Sequence, residues 1–581
     1  MLPRKRDVNI RDERVHAAFE AYQQGKLTRR EFIRYAAMMG ASLAAFGISG
    51  CQPGTPTATP TPMPVATVAQ AKTPTPEPTA KPEEPTAVPT PVSSIRRGGK
   101  LVSTLAFSTV RFTDPALLTD TFVANVVRQI CDWLVRVGPD MVVRPALATA
   151  WTPSEDGLQW TINLRQGVKF NHGKEFNADD VVYTFNRLLD PNIASAFSSV
   201  ANYLKPGAVE KVDDYTVVFN CERSVGDFPF HLFDYHAAIL PADWTGDFYE
   251  APWGTGPFEL AEFRADELIR FKRRKDYWGM GEDGQPLPYL DEVEVRGYPD
   301  QTAFLEALQK GDVHVGGISV ATLPQVLQWS NVRPVVFQTG HFFNGVLHCN
   351  EKPFDDVRVR QAFKLCMDRQ AHIDTVLLGY GIPAYDQPIS PIYELAPELT
   401  PTPLDYDKAK ALLAEAGYPN GMDLTCQFYA DQFHTDNVTW MQASAEPGGF
   451  RITLQPNPEY WQVWLSDWGE FVIGADNWAM RATPSEFFNI AYKSGGDWNE
   501  THWSNPRFDE LLAQYDAELD AAARKAQLAE MCQIIQEDGG VVIPSYRQDL
   551  QVVSTRLRNY EPHPLVAMWY ADLWLAEEEE V

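Results

Sequence analysis

Leu158-Gln159-Trp160-Thr161-Ile162-Asn163-Leu164-Arg165-Gln166-Gly167-Val168-Lys169-Phe170 runs without a break into Asn171-His172-Gly173-Lys174-Glu175-Phe176-Asn177-Ala178-Asp179-Asp180-Val181-Val182. Trp160–Leu164 reads as a strand. The second half carries the marks of a helix start. Asn177 can cap, Asp179 and Asp180 oppose the positive helix end, and Phe176 can staple onto Val181. Outward from this stretch the same interleaving continues. Strands are expected over Gly99–Ala106, Tyr215–Phe219 and Glu292–Tyr298. Thr121–Val137 has a helical period in Val123, Val126, Val127, Ile130 and Leu134. Thr302–Lys310 is a helix stopped by Gly311, and Asp355–Leu378 a helix broken near Asp368-Arg369. Asp405–Ala416 is closed by Gly417, and Pro506–Glu537 holds two helices. Alternating strands and helices imply an α/β fold.

A chain of 581 residues exceeds the size at which one core stops growing, so two or more lobes are expected. The formal net charge is -27, and the first 51 residues hold 9 Lys/Arg against 5 Asp/Glu, leaving about -31 on the rest. Such an acidic surface argues against nucleic acid and against electrostatic docking on anionic lipid. Of seven cysteines, none stands in the C-x-x-C spacing of a zinc or redox site. Cys131, Cys221, Cys349, Cys366, Cys426 and Cys532 are scattered, and both disulfides and buried free thiols remain open for them.

The amino-terminal segment has its own logic. Thr28-Arg29-Arg30-Glu31-Phe32-Ile33-Arg34 precedes an apolar run, Tyr35–Ile48, and then Ile48-Ser49-Gly50-Cys51. The paired Arg29 and Arg30 resemble a twin-arginine export signal, and the ending resembles a lipobox with Cys51 as the acylated residue. An apolar run of about 15 residues is short of the roughly 20 that a spanning helix needs. Residues 52–94 are almost only Thr, Pro, Ala, Glu and Val, a composition that builds no core. At about 3.1 Å per residue this stalk would reach on the order of 100 Å. The expected localisation is outside the cytoplasm, held to the lipid bilayer by acyl chains.

Together with the opening stretch, three more segments in order and spacing resemble the oligopeptide/dipeptide class (family 5) of solute-binding lipoproteins of ABC importers. They are Gly254–Phe258, Asn350–Arg369 with its core Pro353-Phe354-Asp355-Asp356-Val357-Arg358-Val359-Arg360, and Ala409–Gly417. The resemblance runs from about Gly98 to about Asn559. It implies a two-lobed periplasmic-binding-protein clamshell with an extra subdomain on lobe I. Lobe I would take 95–136, 254–340 and 546–581, the extra subdomain 137–253, and lobe III 341–545. It further implies a monomer that traps a small-molecule or peptide solute by hinge closure and hands it to membrane permease subunits.

Gly254-Thr255-Gly256-Pro257-Phe258 lacks the third glycine and the helix of a dinucleotide fingerprint. No G-x-S-x-G, H-E-x-x-H or Walker sequence is present, so no catalytic residue, metal or cofactor is expected. Paired acids such as Asp355/Asp356 read as helix caps. Two carboxylates at a set separation suffice for glycoside hydrolysis, which keeps an exported enzyme as a second class, with a sensory surface protein as a third. In the peptide-binding branch, the loop at Asn477-Trp478-Ala479-Met480-Arg481 resembles Trp-x-x-Asp, whose Asp pairs with a peptide ammonium. Trp478 matches; Arg481 stands at the Asp position, and Ala479 replaces a cysteine that some members pair. The resemblance thus implies a ligand contact at Trp478. Arg481 in the same site would favour an anionic or hydroxyl-rich ligand such as an oligosaccharide. The alternatives are a core tryptophan and a structural ion pair of Arg481 with Asp476 or Glu486. Phe107, Tyr460, Trp498 and Trp503 are further candidates for cleft-lining aromatics.

Overall fold

The computed structural model describes residues 95–577 apart from 105–113, 119–120, 245, 266, 399, 461–471 and 497. Arg29, Arg30, Cys51, the stalk and Phe107 lie outside the described residues.

The opening stretch folds as its sequence indicates. Gln159–Leu164 is a strand, and the helix Ala178–Leu188 begins at a capping box. Asn177 Oδ1 accepts from Asp179 N at 2.9 Å, and Asp180 Oδ2 accepts from Asn177 N at 2.9 Å. Asp180 does more than oppose the helix dipole. It is fully buried, pairs with Lys174 and accepts from Ala242 N at 2.7 Å. Phe176 and Val181 are both at 0% exposure in one core. Around them Ala148–Pro153, Gln159–Leu164, Thr216–Asn220 and Val209–Asp213 form a separate antiparallel sheet.

The helix expected over Thr121–Val137 stops at Ile130, and Val135–Val137 is a strand. Tertiary contacts overrule the periodicity here. The Asp132 carbonyl accepts from Ile239 N at 3.1 Å, and its carboxylate takes Trp278 Nε1 at 2.8 Å and the Thr255 hydroxyl at 3.2 Å. Gly254 sits against this turn so closely that an added Cβ would lie 2.1 Å from Ile130 O. The broken helix appears as Val357–Leu365 and Arg369–Thr375, capped by Asp356 and Asp368. Pro506–Ala517 and Ala521–Asp538 are the two late helices. All six described cysteines are free.

The largest sheet runs, in order, Phe450–Asn457, Met422–Tyr429, Ile473–Trp478, Val332–Leu347, Ser545–Ser554, Val315–Gly317, Lys100–Thr104, Glu292–Arg296, Leu268–Arg273 and Phe258–Arg264. Its middle pair positions the site. Val332–Leu347 lies antiparallel to Ser545–Ser554 from Val332↔Ser554 to Gln338↔Gln548; the register then shifts before Phe342↔Tyr546. Such a shift kinks the ladder and redirects the strand. Past it, Phe342–Leu347 pairs with Ile473–Trp478. One group of elements packs through Phe343, Phe363, Cys426 and Ile473, another through Phe304, Leu308, Val313 and Leu550. The strand pair connects the two. A third and larger apolar cluster runs from Leu101 and Val293 through Phe342 and Tyr546 to Phe508 and Ile535.

Candidate ligand-binding cleft

A cavity of about 670 Å³ lies against this strand pair. One wall comes from Ser103, Val315–Val320 and Phe304, the opposite wall from Val376, Leu377, Tyr380 and Phe433, and the floor from Phe337, His341 and 547–551. A recess of about 120 Å³ shares His341, Leu377, Phe433 and Arg547 and reaches Asn477, Trp478 and Ala479. A second cavity, about 440 Å³, is bounded by 280–282, Tyr560, Trp569 and Asp572. It shares Gln551, Val566, Met568 and Tyr570 with the first cavity but has none of the Val376, Leu377, Tyr380 and Phe433 wall.

The floor is polar because strand alternation puts Arg547 and Asp549 on one face, while Tyr546, Leu550 and Val552 are buried. Arg547 Nε donates to Asp549 Oδ1 at 2.7 Å, and its Nη2 is 3.2 Å from His341 Nδ1. His341 Nδ1 is also 3.3 Å from Asp549 Oδ2. Burial alone would push the Asp549 carboxyl up, yet the His341 hydrogen bond and the Arg547 charge hold it below the usual carboxylate range. In the recess, burial pushes His372 down to about 4. The ring is neutral there, donating from Nε2 to Asn437 Oδ1 (2.7 Å) and accepting the Ser545 hydroxyl at Nδ1 (2.8 Å).

The sequence candidates fall in different places. Trp478 borders the recess, though only 5% exposed; its Nε1 donates to Glu500 Oε1 at 3.0 Å and its ring packs on Phe487 at 4.8 Å. Arg481 borders neither the cavity nor the recess. Its guanidinium lies 5.7 Å from the Trp478 ring and 5.5 Å from the Trp498 ring, a cation–π seat. Nor does it form the ion pair considered with Asp476 or Glu486. Burial pushes the Glu486 carboxyl up to about 7, with the Arg481 charge acting against that rise from beyond contact. Tyr460 (0% exposed) and Trp503 (3%) are core residues rather than cleft aromatics, because their rings are needed to fill lobe interiors. Trp503 Nε1 is held by Asp538 Oδ2 at 2.8 Å. Trp498 is 41% exposed but stacks on Arg481, away from both spaces. Sequence reasoning missed Phe337, His341, Phe433, Arg547 and Asp549. The available signal was a strand, Ser545–Ser554, with charges two apart amid buried apolar neighbours.

Among the described residues no group of three or more His, Cys, Asp or Glu is placed to hold a metal ion, and no helix is long and apolar enough to cross a membrane. A cavity walled by two bodies that share a kinked strand pair is the site of a two-lobed solute-binding protein. The chain belongs to the bacterial extracellular solute-binding proteins, family 5: the model of that family's middle region matches residues 142–500. Heme-binding protein A of Haemophilus influenzae is 30% identical over 463 residues, 73% of this chain and 82% of that protein. Oligopeptide-binding protein AppA of Bacillus subtilis is 26% identical over 496 residues, 78% and 88% of the two chains. The periplasmic binding protein DppA of Helicobacter pylori, solved with the peptide STSA, superposes with a TM-score of 0.65 at 25% identity, covering 83% of this chain and 99% of that one. Both the family expected from the four sequence segments and the two-lobed fold are therefore borne out. The protein is an extracytoplasmic solute-binding component of the kind that serves ABC importers.

Proposed function

We propose that the protein traps a peptide-sized solute in the 670 Å³ cavity by hinge closure and delivers it chemically unchanged to a membrane permease. The carrying observation is that both walls of one cavity come from different lobes, so closure about the strand pair encloses whatever lies there. The hinge crossings fall at 340/341 and 545/546, with 137–253 as the extra subdomain. Relatives named for oligopeptides and a neighbour solved with a tetrapeptide support the size class. Trp478 serves as the end wall of the recess.

Small-angle scattering should show compaction when an apolar tripeptide pool is added, and chromatography should return every peptide intact. Altered peptides would move the protein to the enzyme class. Native mass spectrometry of protein as purified should reveal a retained solute of peptide-like mass.

The same proposal includes export by Arg29 and Arg30, acylation at Cys51, a monomeric domain, and a stalk that carries it away from the bilayer. Arg29→Lys with Arg30→Lys should leave precursor in the cytoplasm, and Cys51→Ser should release the domain from membranes. Unchanged fractionation of both variants would refute this part.

A further inference from the structure

We infer that Arg547 receives an anionic group of the solute, a carboxylate in the first instance, while the solute's apolar body packs on Phe304, Phe337, Tyr380 and Phe433. This rests on the cavity being the solute site. Among the described residues that line the cavity, Arg547 is the one Lys or Arg. Two acids line it as well. Asp549 is already engaged by Arg547 and His341. Asp436 lies exposed on the helix Gln432–Ala445, held by Gln432 Nε2 at 2.7 Å, and would repel an anion placed beside it. A solute anion therefore has one favourable place.

Arg547 is also prepared to receive it. Asp549 Oδ1 accepts from Nε, which orients the planar guanidinium; His341 Nδ1 lies 3.2 Å from Nη2 and 3.3 Å from Asp549 Oδ2, and serves one of the two at a time. Nη1 has no protein partner among the described residues, and the side chain remains 39% exposed. A guanidinium held on one side can offer its remaining N–H groups to a carboxylate with little further ordering. The remaining polar side chains of the wall, among them Ser103, Asn125, Ser319 and Gln551, are neutral, so a carboxylate bound beside them gains hydrogen bonds but no opposite charge. Arg481, the cation that the loop sequence suggested, cannot fill this role from its seat between Trp478 and Trp498.

The test is calorimetry with a panel of apolar di- and tripeptides, each as free acid and as C-terminal amide, on wild type, Arg547→Gln, Arg547→Lys and Arg481→Gln. Wild type should prefer the acids by about 10- to 100-fold, the range of a charge-assisted hydrogen-bonded pair. Arg547→Gln should abolish that preference while amide binding stays the same. Arg547→Lys should retain a small part of it, and Arg481→Gln all of it. Since Arg547→Gln leaves Asp549 with His341 alone, Arg547→Gln/Asp549→Asn removes the pair together and should show the same lost preference with a wild-type melting temperature. Equal binding of acids and amides by wild type, or an acid preference that survives Arg547→Gln, overturns the inference. Failure of every peptide in both forms overturns instead the reading of a peptide-sized solute.

Discussion

Alanine at Gly226 should weaken solute binding about 100-fold without touching the cavity, as expected when a closed state is depopulated by that factor. Gly226 belongs to the loop between Thr216–Asn220 and Phe228–His231, which docks onto the end of the helix Pro506–Ala517. Its N–H donates to Asp516 O at 2.9 Å, and the neighbouring Ser224 hydroxyl donates to Ala517 O at 2.6 Å. Next to them Asp227 pairs with Arg524, with side chains 5% and 9% exposed, and the Arg524 guanidinium covers Tyr515 at 4.3 Å. A Cβ on Gly226 would lie 2.2 Å from Glu518 O and 3.1 Å from the Arg524 guanidinium. Backbone conformation is not the constraint; space is. The seam cannot close around a methyl group, and its hydrogen bonds and ion pair are lost together.

Asp227→Ala should act in the same direction, because it leaves Arg524 buried and uncompensated at a cost of about 3–5 kcal/mol. Asp227→Ala/Arg524→Met should be milder than Asp227→Ala, since removing both charges leaves none stranded. Calorimetry gives the affinities, and scattering shows whether the solute still compacts the molecule. Gly226→Ala protein that binds and compacts like wild type would mean the seam plays no part in closure.

What the sequence made legible follows from how local each cause is. Helix starts at Asn177 and Asp405 were readable because a cap is satisfied within three residues of itself. The end of the helix at Ile130 was not, because it depends on Ile239, more than 100 residues away. The hinge strand Val332–Leu347 was hidden for a related reason. Pro334, Gly340 and Gly345 interrupt its pattern, and it exists as a strand through pairing with residues some 200 positions later. The loop motif pointed to Trp478 and Arg481 alike, and of the two only Trp478 borders the recess, because spacing along a loop does not tell which side of the loop a side chain takes. Arg547 carried no motif at all. Its place on the cavity floor arises only when two lobes and a strand from the far end of the chain come together.

Arg369→Leu should produce the largest loss of stability of any single charge removal among residues 341–545. Arg369 (5% exposed) opens the second half of the broken helix and pairs with Asp386, which is at 0% exposure. Its Nη2, which pairs with Asp386, also donates to Lys364 O at 3.3 Å, and Nη1 donates to Met367 O at 3.2 Å. Asp386 in turn accepts Ile543 N at 3.0 Å, and its own N–H donates to Ile543 O at 2.9 Å. With φ at 64°, Asp386 also occupies the left-handed region, which costs a non-glycine residue about 1 kcal/mol or more and persists where surroundings enforce it. Leucine would fill much of the space and leave a buried carboxylate with one backbone donor, at a cost of about 3–5 kcal/mol. For a body of this size that corresponds to about 6–20 °C in melting temperature. The comparison variant is Arg451→Ala: Arg451 pairs with Asp423 at 2.7 Å, but the side chains are 49% and 82% exposed, and the pair should contribute under about 1 kcal/mol. Asp386→Asn combined with Arg369→Leu should recover part of the loss, since the stranded charge is the main penalty. Calorimetric or urea unfolding of the four proteins decides the matter. If Arg369→Leu melts no lower than Arg451→Ala, the Arg369–Asp386 pair does not hold the helix to the strand that enters the hinge.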